Sequence, residues 1–448
     1  MLQRLFYRSY RVTGFHHWLW KRFTPAGIFV VACAGMSAAL GVDTNETMAY
    51  QAFAFLLGLL VIGGLSVPFF RMRFHVNRIL PRFGSVGVPL VYFLEIKHPS
   101  RLPQFNLLVS EKQEDPRPSL NEFLFLKEPE EDNRNFFDRT MKYYRWMWLV
   151  NRKRGAIARE QSLPALLPRK INKVSLEISP TRRGRLQLKG ILIARPDPFG
   201  LVKSFVYQPR EQSILVLPRR YALPHLAMPN GSKYPHGGVS LASSIGESEE
   251  FAALRDYRPG DPPRRIHWKS FAKTGKPIIK EFQDEFFVRH ALVLDTFNSG
   301  DDANRFEAAI SVAASFVAHI STQESLLDLL FVGPKAFSFT AGRGVAQNDR
   351  MLEILACVEL CLDLPFVELE RMVVSHAREV SGFVCVLLNW DENRQQLVRK
   401  LVAAGVPLLV VIMRLPGEPV PAPGPMAGDP AHFHAVDISN LEEELARL

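Results

Sequence analysis

Pro25–Phe70 reads PAGIFVVACAGMSAALGVDTNETMAYQAFAFLLGLLVIGGLSVPFF, two uncharged runs (25–42 and 48–70) around the short acidic loop Asp43-Thr-Asn-Glu-Thr47. As helices rising about 1.5 Å per residue, they reach about 27 Å and about 35 Å. A bilayer's hydrocarbon core is about 30 Å thick, so both runs are predicted to cross it, antiparallel to one another. Small residues (Gly27, Ala34, Gly35, Ala38 in the first; Gly58, Gly63, Gly64 in the second) permit close approach. Arg4, Arg8, Arg11, Lys21 and Arg22 precede the hairpin, and Arg71, Arg73, Arg78 and Arg82 follow it. Positive flanks around an acidic loop place both ends on the cytoplasmic side, with Trp18, Trp20 and Phe23 at the interface. A cleaved signal peptide is the competing reading. The long basic N-terminal region and the second run argue against it.

The anchor accounts for most of the chain's charge. Lys+Arg 55 against Asp+Glu 45 give +10, yet residues 1–82 alone hold nine basic and two acidic side chains. The small excess left for the rest is no electrostatic footprint for nucleic acid. At 448 residues with 47% hydrophobic and 22% charged, the chain is long and apolar enough for two or three packed domains. Its 4 cysteines include no Cys-x-x-Cys and exclude a disulfide-stapled secreted fold.

Beyond the anchor, residues 83–220 read as β. Pro89–Lys97, Asn106–Val109, Lys173–Ile178, Arg185–Ile193 and Ser213–Leu217 are short, β-rich and bounded by turn residues, the pattern of an Ig-like antiparallel sandwich. An insertion, 111–165, carries the basic aromatic segment Lys142–Arg154 (KYYRWMWLVNRKR). It is expected to pack its rings against the sandwich; contact with anionic headgroups is the alternative. From 286 to 414 the texture changes. Val288–Leu294, Leu326–Val332, Gly382–Leu388 and Val406–Met413 are continuous apolar runs. Helical patterns at Asn304–Ile320, Asp349–Leu362, Val367–Val380 and Asp391–Ala404 separate them. This predicts a doubly wound parallel sheet covered on both faces. Residues 415–448 form a Pro-rich linker, a strand at Ala435–Ile438 and a short charged helix.

Ligands of such sheets bind at the C-terminal strand ends. Those ends carry Asp295-Thr-Phe-Asn-Ser299 and Asn389-Trp-Asp391. Asp295, Ser299 and Asp391 offer oxygen ligands to a hard cation such as Mg2+. The competing reading has Asp295 capping a turn and Asp391 capping the next helix. No P-loop, His-Glu-x-x-His or nucleophile elbow occurs, and His432 and His434, alternating on an extended segment, are expected to face solvent.

The densest signal lies at the junction, 221–285. Phe251–Phe282 reads FAALRDYRPGDPPRRIHWKSFAKTGKPIIKEF. Pro259-Gly260 is a turn, and Asp261 is placed to pair with Arg258, Arg264 or Arg265. One reading is a structural knot with a buried Trp268 indole that locks the two regions together. The other is a basic docking surface for an acidic partner or anion.

This stretch resembles the signature of the bacterial family called domain of unknown function 58. The residues that carry the likeness are Arg255, Asp256, Tyr257, Gly260, Asp261, Arg264, Ile266, Trp268, Ala272 and Lys273. Arg183-Gly184-Arg185, Asp197-Pro-Phe-Gly200 and Val216-Leu-Pro218 are similar to the stretch preceding it in that family. The resemblance implies a bacterial inner-membrane protein with a von Willebrand factor A-like domain, paired with MoxR-type AAA+ ATPases and sometimes with transglutaminase-like membrane proteins. The metal motif of such domains, Asp-x-Ser-x-Ser, is degenerate here: Phe297 stands at the first serine position. The expectation is therefore a non-enzymatic scaffold with both termini cytoplasmic. A metal-dependent enzyme and an anionic-lipid or nucleic-acid binder stand as alternatives.

Overall fold

The computed structural model describes residues 2–40, 47–70, 72–128, 131–224, 251–282, 289–297, 303–320, 326–333, 336–341 and 345–448. Ser299 and the acidic loop residues Asp43 and Glu46 lie outside them. The chain forms two compact units, 1–219 with 353–357 and 220–352 with 358–448.

In chain order the first unit contains α1 (Leu2–Arg22), α2 (Pro25–Leu40), α3 (Thr47–Ser66), β1 (His75–Ile79), β2 (Phe83–Ser85), β3 (Leu90–Lys97) and β4 (Leu107–Gln113). Then come α4 (Leu120–Phe125), α5 (Phe136–Met141), α6 (Tyr143–Lys153), β5 (Ala156–Ala158), β6 (Gln161–Leu163), β7 (Asn172–Pro180), β8 (Gly184–Pro196) and β9 (Lys203–Leu217). Among the described residues only Met48–Ser66 is long and apolar enough to cross a membrane. The first run forms a shorter apolar helix, α2, of 16 residues. That is about 24 Å, less than the hydrocarbon thickness. α2 and α3 pack on each other.

The turn between β8 and β9 seats these helices. Asp197 accepts hydrogen bonds from the Leu201 and Val202 amides at 2.5 and 2.9 Å, tightening the Asp-Pro-Phe-Gly turn. The Thr24 amide donates to Leu201 O at 3.0 Å. The Thr24 hydroxyl caps α2 by accepting from the Gly27 amide at 3.0 Å, with Pro25 at the tolerant first helical position. A Cβ on Gly27 would lie 2.1 Å from Leu201 O, so only glycine admits this approach.

Two sheets, β1-β3-β7-β5 and β2-β9-β8-β4-β6, enclose one apolar core. Alternation builds it: Leu90, Tyr92, Leu94 and Ile96 of β3 point inward while Val91 and Phe93 face out. The insertion departs from expectation. Lys142–Arg154 is largely α6, and its buried Trp146 packs with Phe6 and Phe123 in a second cluster rather than against the sandwich. A capping box, Ser119 with Glu122, starts α4. Glu131 ties the cluster to α6 by accepting from Arg145 Nε at 2.6 Å.

The second unit contains β10 (Phe251–Asp256), α7 (Trp268–Thr274), β11 (Ile278–Phe282), β12 (Arg289–Leu294), α8 (Ala303–Ile320), β13 (Leu326–Val332), β14 (Ala336–Ala341) and the first part of α9 (Val345–Cys357), whose residues 353–357 belong to the first unit. α10 (Val367–His376), β15 (Gly382–Leu387), α11 (Glu392–Ala403), β16 (Leu408–Arg414), β17 (Phe433–Asp437) and α12 (Leu441–Leu445) follow. The main sheet has the order β14-β13-β12-β15-β16-β17. All of its pairings are parallel except β13 with β14. α10 and α11 cover the face of Ala291, Val293, Phe383 and Cys385, while α8 packs against β12, β15 and β16. The order reverses between β12 and β15, which opens a crevice at their C-terminal ends.

Candidate functional site

Both sequence-derived candidates lie in the second unit. In the first, β10 and β11 form an antiparallel hairpin with Asp256 opposite Ile278 and Arg255 opposite Ile279. Gly260 takes φ +107°, the left-handed turn that the Pro-Gly step requires. Asp261 accepts a fork from Arg255, at 2.8 and 2.7 Å, and a third bond from the Arg258 amide at 2.8 Å. The Arg255 guanidinium, then the Arg258 amide, hold this carboxyl down to about 2. β10 presents Arg255 beside the turn, a side-chain partner of Asp261 that the sequence reading did not name. Ile266 bridges to Ile279, and the His267 amide donates to Ile278 O at 2.8 Å, stitching the connection to β11.

The larger correction concerns Trp268. It is 62% exposed, in T-shaped contact with Phe271 at 5.9 Å, so no buried indole acts as a lock. Tyr257 and Leu254 are exposed as well. Arg258, Arg264, Arg265, Lys269, Lys273 and Lys276 of the same segment are exposed too. The motif builds a stiff turn that presents aromatic side chains within a cationic field. Trp268→Ala is accordingly expected to shift unfolding free energy by no more than about 0.5 kcal/mol. Denaturant titration of the full chain checks this, and a loss of several kcal/mol would restore the buried-anchor reading.

The second candidate is the strand-end crevice. Asp295 and Asp391 do come together there, but around a guanidinium. Arg394 donates from Nε to Asp295 Oδ2 at 2.9 Å, from Nη2 to Asp295 Oδ1 at 3.2 Å and from Nη1 to Asp391 Oδ2 at 2.5 Å. Its Nη2 also donates to Phe297 O. Asp295, fully buried, further accepts from the Phe297 and Leu388 amides at 2.9 and 3.0 Å. Burial works against the charge of Arg394, yet the Asp295 and Asp391 carboxylates hold its pKa above the ordinary value. Asp391 also caps α11 through the Arg394 amide at 3.1 Å. The turn-capping and helix-capping roles weighed for the two acids are thus both present.

No group of three or more His, Cys, Asp or Glu side chains suited to a metal ion occurs among the described residues. With their oxygens already spent on Arg394 and backbone amides, the acids present do not fit a Mg2+ site. Titrating the full chain calorimetrically with Mg2+ or Mn2+ should give no saturable heat. Saturable heat abolished by Asp295→Asn would contradict this. Arg394 went unrecognised because it stands 99 positions from Asp295; its one local signal is the i, i+3 spacing from Asp391. Arg305 donates to Leu388 O at 3.2 Å, to Asn389 and to Glu418 at 2.5 Å. His432 and His434 are half-buried rather than solvent-facing, and His432 pairs with Asp429 at 2.7 Å.

Residues 253–377, which run from the hairpin to the end of α10, match the family described as "Protein of unknown function DUF58". Over that stretch the chain is similar to DUF58 proteins. The uncharacterized protein YeaD of Bacillus subtilis (strain 168) is 24% identical to this chain over 185 residues. That alignment takes in 41% of the chain and 45% of YeaD, so the chain spans under half the length of this curated relative. A crystal structure of a GH20 exo-β-N-acetylglucosaminidase from Vibrio harveyi, in complex with N-acetylglucosamine, aligns with 10% identity and a TM-score of 0.14. The alignment covers 77% of this chain and 57% of that one, and a likeness so weak carries no argument.

Proposed function

We propose that this chain is a non-enzymatic adaptor of the bacterial inner membrane whose signature hairpin docks a protein partner, a MoxR-type AAA+ ATPase. The observation that carries the reading is the exposed Trp268–Phe271 pair set among basic side chains. Tryptophan, tyrosine and arginine dominate interface energetics when a partner desolvates them. A cationic surround steers an acidic surface toward them. The six-stranded doubly wound order supports the von Willebrand factor A-like reading, and the crevice sealed by Arg394 supports binding without metal chemistry.

In this account α2 and α3 form the membrane hairpin, with their basic flanks and both soluble units cytoplasmic. A transglutaminase-like membrane protein is a further partner under the same proposal. Affinity purification of the full chain from solubilised membranes, in ATP and in ADP, tests the docking. Recovery of a MoxR-type ATPase is the expected result; its absence under every nucleotide condition would overturn the assignment.

A further inference from the structure

We infer that α1 is a lipid-contacting helix whose Arg4–Arg8–Arg11 face lies on the anionic phospholipid leaflet bordering the anchor. Arg4, Arg8, Arg11, Phe15, Trp18 and Arg22 follow one another at steps of four or three residues, which places them on one face of the helix. Arg4, Arg8, Arg11, Phe15 and Trp18 are exposed, and Phe15 stacks on Trp18 with centroids 6.0 Å apart. The first three arginines, with Tyr7 and Val12, line a shallow groove. α1 contains no acidic residue.

The opposite face is already committed. Phe6 is buried, 5.7 Å from Phe123 and 5.6 Å from Trp146, and Tyr10 meets Trp146 edge-on at 6.3 Å. This contact fixes which side of α1 stays outward. Only Phe23 and Thr24 separate α1 from the apolar α2, so the outward face adjoins the membrane-directed part of the chain. Guanidinium groups bind phosphate oxygens in a forked geometry, and indole and phenyl rings settle at headgroup depth. A helix with this division of residues lies in the interface rather than crossing it. The chemistry selects a phosphodiester-bearing anionic lipid over a zwitterionic one.

The inference rests on the membrane-anchor reading, and the experiment separates the two. The full chain is reconstituted in vesicles of phosphatidylcholine alone and of equal parts phosphatidylcholine and phosphatidylglycerol, and amide hydrogen exchange across α1 is followed. Exchange should be about tenfold slower with phosphatidylglycerol, and the slowing should fade in high salt, as expected for basic side chains at an anionic surface. The triple variant Arg4→Glu, Arg8→Glu, Arg11→Glu should abolish the slowing while melting as the parent does. The gentler Arg4→Gln, Arg8→Gln, Arg11→Gln variant serves if the first fails to fold. Equal exchange in both lipids, or slowing that survives the substitutions, would overturn the inference. Failure of the anchor reading looks different: the protein would not float with either vesicle after an alkaline wash.

Discussion

Arg394→Ala should lower the stability of the second unit by about 3–5 kcal/mol, the usual cost of stripping a buried charge of its partner. Asp295 is fully buried, and the substitution would leave its carboxylate facing two amide donors with no cation. The guanidinium also ties Phe297 O and Asp391 to the same point, so the ends of β12 and β15 and the start of α11 would loosen together. The effect is one of charge balance rather than of the arginine alone. An Asp295→Leu, Arg394→Met double replacement, apolar on both sides, should recover much of the loss. Thermal and denaturant unfolding of the full chain read this out. A single-variant loss under about 1 kcal/mol would mean that water reaches the crevice and solvates the orphaned acid.

A second large effect belongs to the sandwich core. Glu111 accepts from Arg78 Nη2 at 2.5 Å and from the Tyr92 hydroxyl at 2.6 Å, and both side chains of the ion pair are almost fully enclosed. Burial raises the Glu111 carboxyl from its ordinary 4.5 to about 7, outweighing the Arg78 charge and the Tyr92 hydrogen bond that pull it back. The native state thus binds this proton more tightly than the unfolded chain does. The stabilisation is complete below about pH 4.5 and is lost as pH rises through about 7, amounting to ~3 kcal/mol. Glu111→Gln should flatten that slope, as measured by urea unfolding across the same pH window. Arg78→Ala should cost about 3–5 kcal/mol and be worst at high pH, where the unpaired carboxyl is asked to ionise. A slope unchanged in Glu111→Gln would move the titration to another group.

What could be read from the sequence follows from which physical signals are local. Buried parallel strands announce themselves as unbroken apolar runs, and so Leu326–Val332 coincides with β13 and Gly382–Leu388 with β15 to within a residue. β14 was invisible because Ala336–Ala341 mixes Phe337 and Phe339 with Ser338 and Thr340 just beyond Gly-Pro-Lys. An antiparallel edge strand needs no continuous apolar character. α1 escaped notice since its stripe interleaves arginines with aromatics, which reads as a charged flank rather than as a helix face. Of the two readings open for the Trp268 segment, the buried indole rested on the volume of the ring. The long connection between β10 and β11, 257–277, instead carries it on the seven-residue α7. The strand-end acids were located correctly but their partner was not, since pairing across 99 positions is set by the topology of the sheet and leaves no trace in spacing.

The sharpest test uses one residue in two assays. Full-length chains carrying Trp268 or Trp268→Ala would be co-produced with a MoxR-type ATPase and purified from membranes in ATP, and their unfolding midpoints compared. Unchanged midpoints and a loss of ATPase retention of about tenfold or more in the variant are expected, the signature of an exposed aromatic hot spot. Equal retention by both chains would contradict the docking proposal.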